Sequence, residues 1–325
     1  CKSAPDTVIW MAHRAKRVPT WHGESASPAA ALRELGSGGR VVRELGGNAN
    51  MHWVVAGMRG GDADGRAVLR RYRPRLEEVE VAYELRVLAR VAALRWHVPV
   101  ALTEPVRVGR HLWCLFRYIP GAPKRARSEH GKREEQRSRG RLLARLHADL
   151  ATLGDVGQRH GWQRREEVLG PRDDGLTVEE VIRERVVPEE AEIMLAYAER
   201  ARVRFAKVDA PRRPVMVVHG DLITGNVLYR KGELSGVIDF DFTHLDHRAA
   251  DFVWTWRGRN DEVVRGYEEV TPLSETDRAL LAPCYWVSVL DSARSEALHE
   301  SDQSRRVSLP GNVAYLQRRS ELTGN

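Results

Sequence analysis

Two carboxylates and an amide stand close together in one part of this chain. The segment Val217-Val218-His219-Gly220-Asp221-Leu222-Ile223-Thr224-Gly225-Asn226 is followed by Gly236-Val237-Ile238-Asp239-Phe240-Asp241. Read physically, this is a short apolar strand, a loop with an acid and an amide five residues later, and a hairpin that ends in a second acid. Transfer of a phosphoryl group to a hydroxyl needs that inventory. One carboxylate orients and deprotonates the attacking hydroxyl, while an amide oxygen and another carboxylate hold Mg²⁺ against the phosphate oxygens. Each residue also has a bland explanation when taken alone. Asp221 could cap a turn, Asn226 could satisfy loop backbone, and Asp239 could pair with one of many arginines. Together these explanations need three coincidences.

The elements around the loop follow from periodicity and turn chemistry. Ser27-Pro28 starts a short helix over 29–35, with Ser as N-cap and Pro at the first helical position. Strands are expected at 41–45, 51–56 and 66–72, the first two joined by the turn Gly46-Gly47-Asn48-Ala49-Asn50. Residues 76–94 carry Val81, Glu84, Leu85, Leu88 and Val91 near helical spacing. A hairpin over 105–118 ends at Ile119-Pro120-Gly121, and residues 122–136 read as a solvated connection. An amphipathic helix over 138–150 and one or two helices around Pro188 follow. Short strands come next, at 215–218, 226–229 and 236–240. The remainder reads as helical, around 263–270, 276–296 and 312–322. The expected fold class is therefore α+β: a small β-rich N-lobe over 27–120 and a larger, mainly helical C-lobe over 121–325. Residues 1–26 read as an extension of unclear role.

The motif set resembles the aminoglycoside phosphotransferase family of protein-kinase-like enzymes, which includes choline and homoserine kinases. The resemblance runs from about Leu45 to Asp251. It implies a bilobal kinase-like fold with Asp221 as catalytic base and with Asn226 and Asp239 as magnesium ligands. It also implies that His219 positions the loop and that Asp251 buttresses it. Gly46 and Gly47 lie where the family has its nucleotide-covering loop, and glycines there let backbone approach phosphates closely. Arg70 stands where the family has a phosphate-binding lysine, with Glu84 as its helix partner. Strand alternation favours Arg70 over Arg71 for this role. A guanidinium can fork onto two oxygens, so its geometry differs from that of an ammonium. Leu115-Phe116-Arg117-Tyr118-Ile119 resembles the hinge. There the Arg117 carbonyl and the Ile119 amide would meet the adenine edge, Phe116 would wall the pocket, and Leu228 and Ile238 would pack beneath the base. His147 falls in the family's core helix.

Charge bears on the acceptor. Residues 1–150 carry a net +13 and residues 151–325 a net −6, giving +7 overall. A basic first half suits an anionic nucleotide and an acidic second half suits a cationic acceptor, although solvated faces in an Arg-rich chain explain the same counts. The expected donor is ATP, with GTP as the alternative, together with Mg²⁺. The expected acceptor is a small hydroxylated molecule, foremost an aminoglycoside or related antibiotic, with Asp241 and Asp246 as candidate amine contacts. The alternatives are a homoserine-, choline- or sugar-type metabolite kinase, or a nucleotide-binding pseudokinase, which only Arg70 in place of lysine would support. Nucleic-acid binding has no motif behind it, and no apolar run is long enough for a membrane span. Residues 1–10 lack the pattern of a secretory signal, and the three cysteines form no metal knuckle or disulfide framework, so a reducing cytoplasmic setting is expected.

Overall fold

A computed structural model describes residues 27–47, 50–74, 76–299 and 305–322. The proposed extension over residues 1–26 lies outside the described residues. The chain divides into two compact units. The first runs through Gly121 and includes Ser235–Val237; the second holds Ala122–Leu234 and the chain from Ile238 onward.

The first unit is built on an antiparallel sheet of order β1-β2-β3-β5-β4. Its strands are β1 (Arg40–Gly46), β2 (Met51–Ala56), β3 (Ala67–Arg71), β4 (Val106–Val108) and β5 (His111–Arg117). Helix α1 (Pro28–Glu34) is capped by Ser27, whose side chain accepts a hydrogen bond from the Ala30 amide. Ala31 and Leu32 of that helix join Trp53, Val55, Ala67, Leu69, Trp113 and Leu115 in one apolar cluster. Because side chains alternate along a strand, the cluster fixes the other face too. With Ala67 and Leu69 turned into it, Val68 and Arg70 point the opposite way, opposite Phe116 and Cys114 in the register. On that side lies α2 (Glu78–Ala93), which buries Val81, Glu84, Val87, Leu88 and Val91.

The second unit opens with β6 (Ala122–Pro123) and the long helix α3 (Glu129–Leu150). This corrects the sequence expectation: residues 129–136 are helix, nine residues ahead of the expected start at 138. Ser128 caps the helix by accepting from the Gly131 amide. The charged first turns are held by pairs such as Glu135–Arg139, which alternation of charge makes look like loop in a sequence. Helices α4 (Val178–Arg185) and α5 (Pro188–Lys207) are separate, with Pro188 opening the second. The strand β7 (Met216–Val218) leads into the His219 loop. A hairpin of β8 (Val227–Arg230) and β9 (Glu233–Val237) turns on Lys231 and Gly232, both at positive φ.

A strand not foreseen in the sequence, β10 (His244–Asp246), pairs antiparallel with β7 and places His244 opposite Val218. Short helices α6 (Val253–Trp256) and α7 (Asp261–Glu268) precede the buried α8 (Glu275–Leu298) and the last helix, α9 (Pro310–Leu316). Among the described residues no helix is long and apolar enough to cross a membrane.

Candidate functional site

The turn after β7 is held from beneath by one carboxylate. Asp251, itself buried, accepts from the His219 amide through Oδ2 and the Gly220 amide through Oδ1, each at 2.7 Å. His147 of α3 reaches the same Oδ2 with Nε2 at 2.9 Å, and its Nδ1 lies 3.0 Å from the Tyr267 hydroxyl. A carboxylate only accepts, so His147 carries its proton on Nε2 and Tyr267 donates to Nδ1. Burial opposes the Asp251 charge, but the hydrogen bonds from His147 and from the His219 amide hold its pKa below the ordinary value.

His219 is locked by its two ring nitrogens. Nδ1 accepts from the Asp221 amide at 3.2 Å, which leaves Nε2–H to donate to the Ile238 carbonyl at 3.1 Å. Desolvation lowers its pKa further, so the ring stays neutral and acts as a brace between the loop and the strand end carrying Asp239. Gly220 sits at φ +82°, and a Cβ there would lie 2.3 Å from the Phe242 carbonyl oxygen. A side chain at this position would therefore dislodge the turn on two counts.

Asp221 and Asn226 are brought together. The Asn226 amide nitrogen donates to the Asp221 carbonyl at 2.8 Å and to its Oδ2 at 3.1 Å. Because a backbone carbonyl only accepts, the Asn226 NH₂ must face Asp221 and the amide oxygen must face away. The Ile238 amide donates to the Asn226 carbonyl at 2.9 Å, which ties Asn226 to the residue before Asp239. Asp239 itself adopts a left-handed backbone, φ +68°, rare for a non-glycine residue. That conformation ends the strand at Val237, two residues before the expected acid, and turns Asp239 out of the hairpin direction. Burial and the charge of Asp239 together push the Asp221 pKa well above the ordinary carboxylate value. The Asp239 carboxylate and the outward Asn226 amide oxygen are hard oxygen donors, the kind a divalent cation such as Mg²⁺ takes.

The nucleotide candidates of the first unit are placed as follows. Arg70 Nη1 lies 2.8 Å from Glu84 Oε1, both side chains being buried, and the guanidinium stacks 4.5 Å from the Tyr72 ring centroid. Arg71 faces the opposite way, 5.7 Å and 5.9 Å from the ring centroids of Trp53 and Trp113. Gly47 has φ +151°, and a Cβ there would meet the Asn50 carbonyl at 1.8 Å, so this turn also requires glycine. Gly46, at φ +75°, accepts at its carbonyl from His52 Nδ1–H, 3.1 Å. Phe116 is buried; Arg117 is exposed and its amide donates to the Val100 carbonyl at 2.9 Å; Ile119 is half-buried against Gly236. In the second unit Leu228 is buried on β8, while the Ile238 carbonyl serves His219.

The two candidate acceptor acids are both buried. Asp246 is fully buried on β10. Its Oδ1 accepts from the His247 amide at 2.7 Å and the Arg165 amide at 3.3 Å, and its Oδ2 meets His244 Nε2 at 3.0 Å. It is engaged within the fold, as the missing β10 would have indicated. Asp241 is 3% exposed, and its carbonyl accepts from the buried Arg159. Sequence reasoning also missed Tyr267, the Thr243 hydroxyl that donates to the Val218 carbonyl at 2.7 Å, and Arg257 beyond α6. None of these three carries a local motif.

Comparison with known proteins adds to this geometry. The profile of the phosphotransferase enzyme family matches residues 57–280. A curated homoserine kinase from Gluconacetobacter diazotrophicus is 29% identical over 191 residues, 52% of each chain. The matched stretches span at most about half the length of such relatives, 27% and 52% of the first two. Among solved structures, a microcompartment-associated aminopropanol kinase aligns with a TM-score of 0.62 at 18% identity, covering 86% of this chain and 89% of that one. An aminoglycoside phosphotransferase in ternary complex with ADP and hygromycin B aligns with a TM-score of 0.61 at 15% identity, covering 89% and 95%. At these identities the structural likeness concerns the α+β fold.

Proposed function

Given that the chain belongs to the phosphotransferase enzyme family, we propose that it transfers the terminal phosphoryl group of ATP to a hydroxyl of a small molecule. The observation that carries this reading is the Asp221 carboxylate, fixed by the Asn226 amide at 3.1 Å with Asp239 close enough to raise its pKa. Asp221 orients the acceptor hydroxyl and takes its proton as the bond to phosphorus forms. Asn226, through its outward amide oxygen, and Asp239 would hold Mg²⁺, which when bound supplies positive charge to the phosphate oxygens. Arg70, held by Glu84, adds a fixed positive charge for the phosphates. His219 and Asp251 keep the loop in place without touching the reacting atoms.

For the acceptor, the proposal is a small hydroxylated amino compound of the homoserine kind rather than a polycationic aminoglycoside. Several amines need several available carboxylates, and four acids of the second unit are already engaged. Asp246 is buried, Asp291 pairs with Arg172 at 2.5 Å, Asp174 pairs with Arg294, and Glu179 pairs with Arg202 at 2.6 Å. The names of the curated relatives point the same way. The test is magnesium-dependent ATP consumption across homoserine, other small amino alcohols and an aminoglycoside panel, read by product mass. One added phosphoryl group on the small acceptors alone supports the reading. Phosphorylated aminoglycosides would reject the acceptor, and nucleotide binding without turnover on any acceptor would reject the kinase.

A further inference from the structure

The chain just after α6 brings two arginines together without matching acids. Arg257 takes a left-handed backbone, φ +55°, and its Nε donates to the Trp254 carbonyl at 2.9 Å. Its own carbonyl accepts from Arg318 Nη1 at 3.1 Å. Arg318 stacks 4.2 Å from the Tyr315 ring centroid, and the Tyr315 carbonyl accepts from the Tyr285 hydroxyl at 3.1 Å. Gly258 completes the knot, since a Cβ there would meet the Tyr285 ring at 2.7 Å. The two guanidiniums are thus held by carbonyls and aromatic faces. Among the described residues no carboxylate makes an ion pair with either.

The carboxylate whose charge acts on Arg257 is Asp221 itself, and the two form no ion pair. Arg139 is also nearby, but Glu135 and the Thr255 hydroxyl hold it. Desolvation depresses both Arg257 and Arg318, with neighbouring arginines adding to the effect. Half-buried guanidiniums with no acid of their own are costly unless an anion meets them. A planar guanidinium suits a carboxylate or a phosphate, each of which it meets with two parallel hydrogen bonds.

We propose that Arg257 and Arg318 form an anion-recognising subsite beside Asp221, one that takes the carboxylate of the acceptor while the acceptor's hydroxyl faces the base. This rests on the kinase reading above and narrows its substrate class to hydroxy acids and hydroxy amino acids. An anion in this position has one other source, the transferred phosphoryl group of the nucleotide, and the two sources differ in what they change.

The test compares homoserine with the matching amino alcohol that lacks the carboxylate, in wild type and in Arg257→Met, Arg257→Lys and Arg318→Met. Turnover is measured with ATP and Mg²⁺, and binding of the same two compounds is measured by calorimetry with a non-hydrolysable ATP analogue. The expected result is a wild-type preference for the carboxylated compound of about tenfold to a hundredfold, as for charge-assisted hydrogen bonds. Arg257→Met should erase the preference by raising the acceptor KM while the ATP KM stays put, and Arg257→Lys should restore part of it. Equal use and equal binding of the two compounds by wild type would overturn the subsite, and this arm needs no variant to fold. A rise in the ATP KM alone would overturn it too, since the guanidinium would then serve the nucleotide. Selective binding of the carboxylated compound without any turnover would uphold the subsite and sink the kinase reading instead.

Discussion

Asp221 and Asp251 are the same side chain tied to the same turn, yet their surroundings pull their charges in opposite directions. Asp251 is buried under two backbone amides and a histidine, and those donors keep it ionised against desolvation. Asp221 has one amide donor, and burial and the Asp239 charge both raise its pKa. Hydrogen-bond donors aimed at an anion fix it, whereas a second anion leaves it sensitive to what binds next. The first arrangement suits a part of the scaffold and the second suits a group that handles a proton.

This contrast can be broken at either carboxylate. Asp221→Asn should lower kcat by roughly 10²–10⁴-fold, the usual span for a general base, and leave the melting temperature near wild type. Steady-state kinetics with calorimetric melting checks both, and an active variant would remove Asp221 from the chemistry. Asp251→Ala should do the reverse. It strands two buried amides and His147, so we expect a loss of about 3–5 kcal/mol in urea unfolding. Unchanged stability would make Asp251 a spectator.

A smaller effect should separate the two units. Glu84→Gln removes the charge that holds Arg70, and the Km for ATP should rise roughly tenfold, about 1.4 kcal/mol, while the acceptor Km stays constant. A matched rise in both constants would argue against a phosphate role for Arg70. The smallest effect concerns His247, whose Nε2 lies 2.9 Å from Glu166 Oε2. Burial lowers its pKa, but the adjacent Glu166 carboxylate outweighs it, so the net shift is upward. A raised histidine stabilises the fold fully below the unfolded pKa of about 6.5, and that contribution fades as pH rises through the folded pKa. The melting temperature should therefore fall slightly as pH is raised past neutrality, and His247→Gln should flatten that slope.

Much of this could be read in the chain before folding, and what could not has identifiable causes. The strands of the first unit, both glycines of the Gly46-Gly47 turn and the direction of Arg70 follow from period-two alternation and from turn chemistry. The start of α3 at Glu129 was hidden because its first turns are stabilised by charged pairs and carry no apolar stripe. Strand β10 was hidden because His244-Leu245-Asp246 is polar and short, and its pairing with β7 is not local. Asp246, a candidate amine contact on charge alone, is a buried acid serving the Arg165 amide, His244 and the His247 amide.

By itself the sequence determined the chemical inventory, His219, Asp221, Asn226 and Asp239 at their spacings, because loop register and residue type are local properties. Only the tertiary structure decided how each acid is charged and which are spoken for. It set the left-handed backbone of Asp239, the Asp251–His147–Tyr267 support and the company of arginines around Arg257. The reason is that desolvation and Coulomb terms depend on distances between residues far apart in the chain, such as the 104 positions between His147 and Asp251.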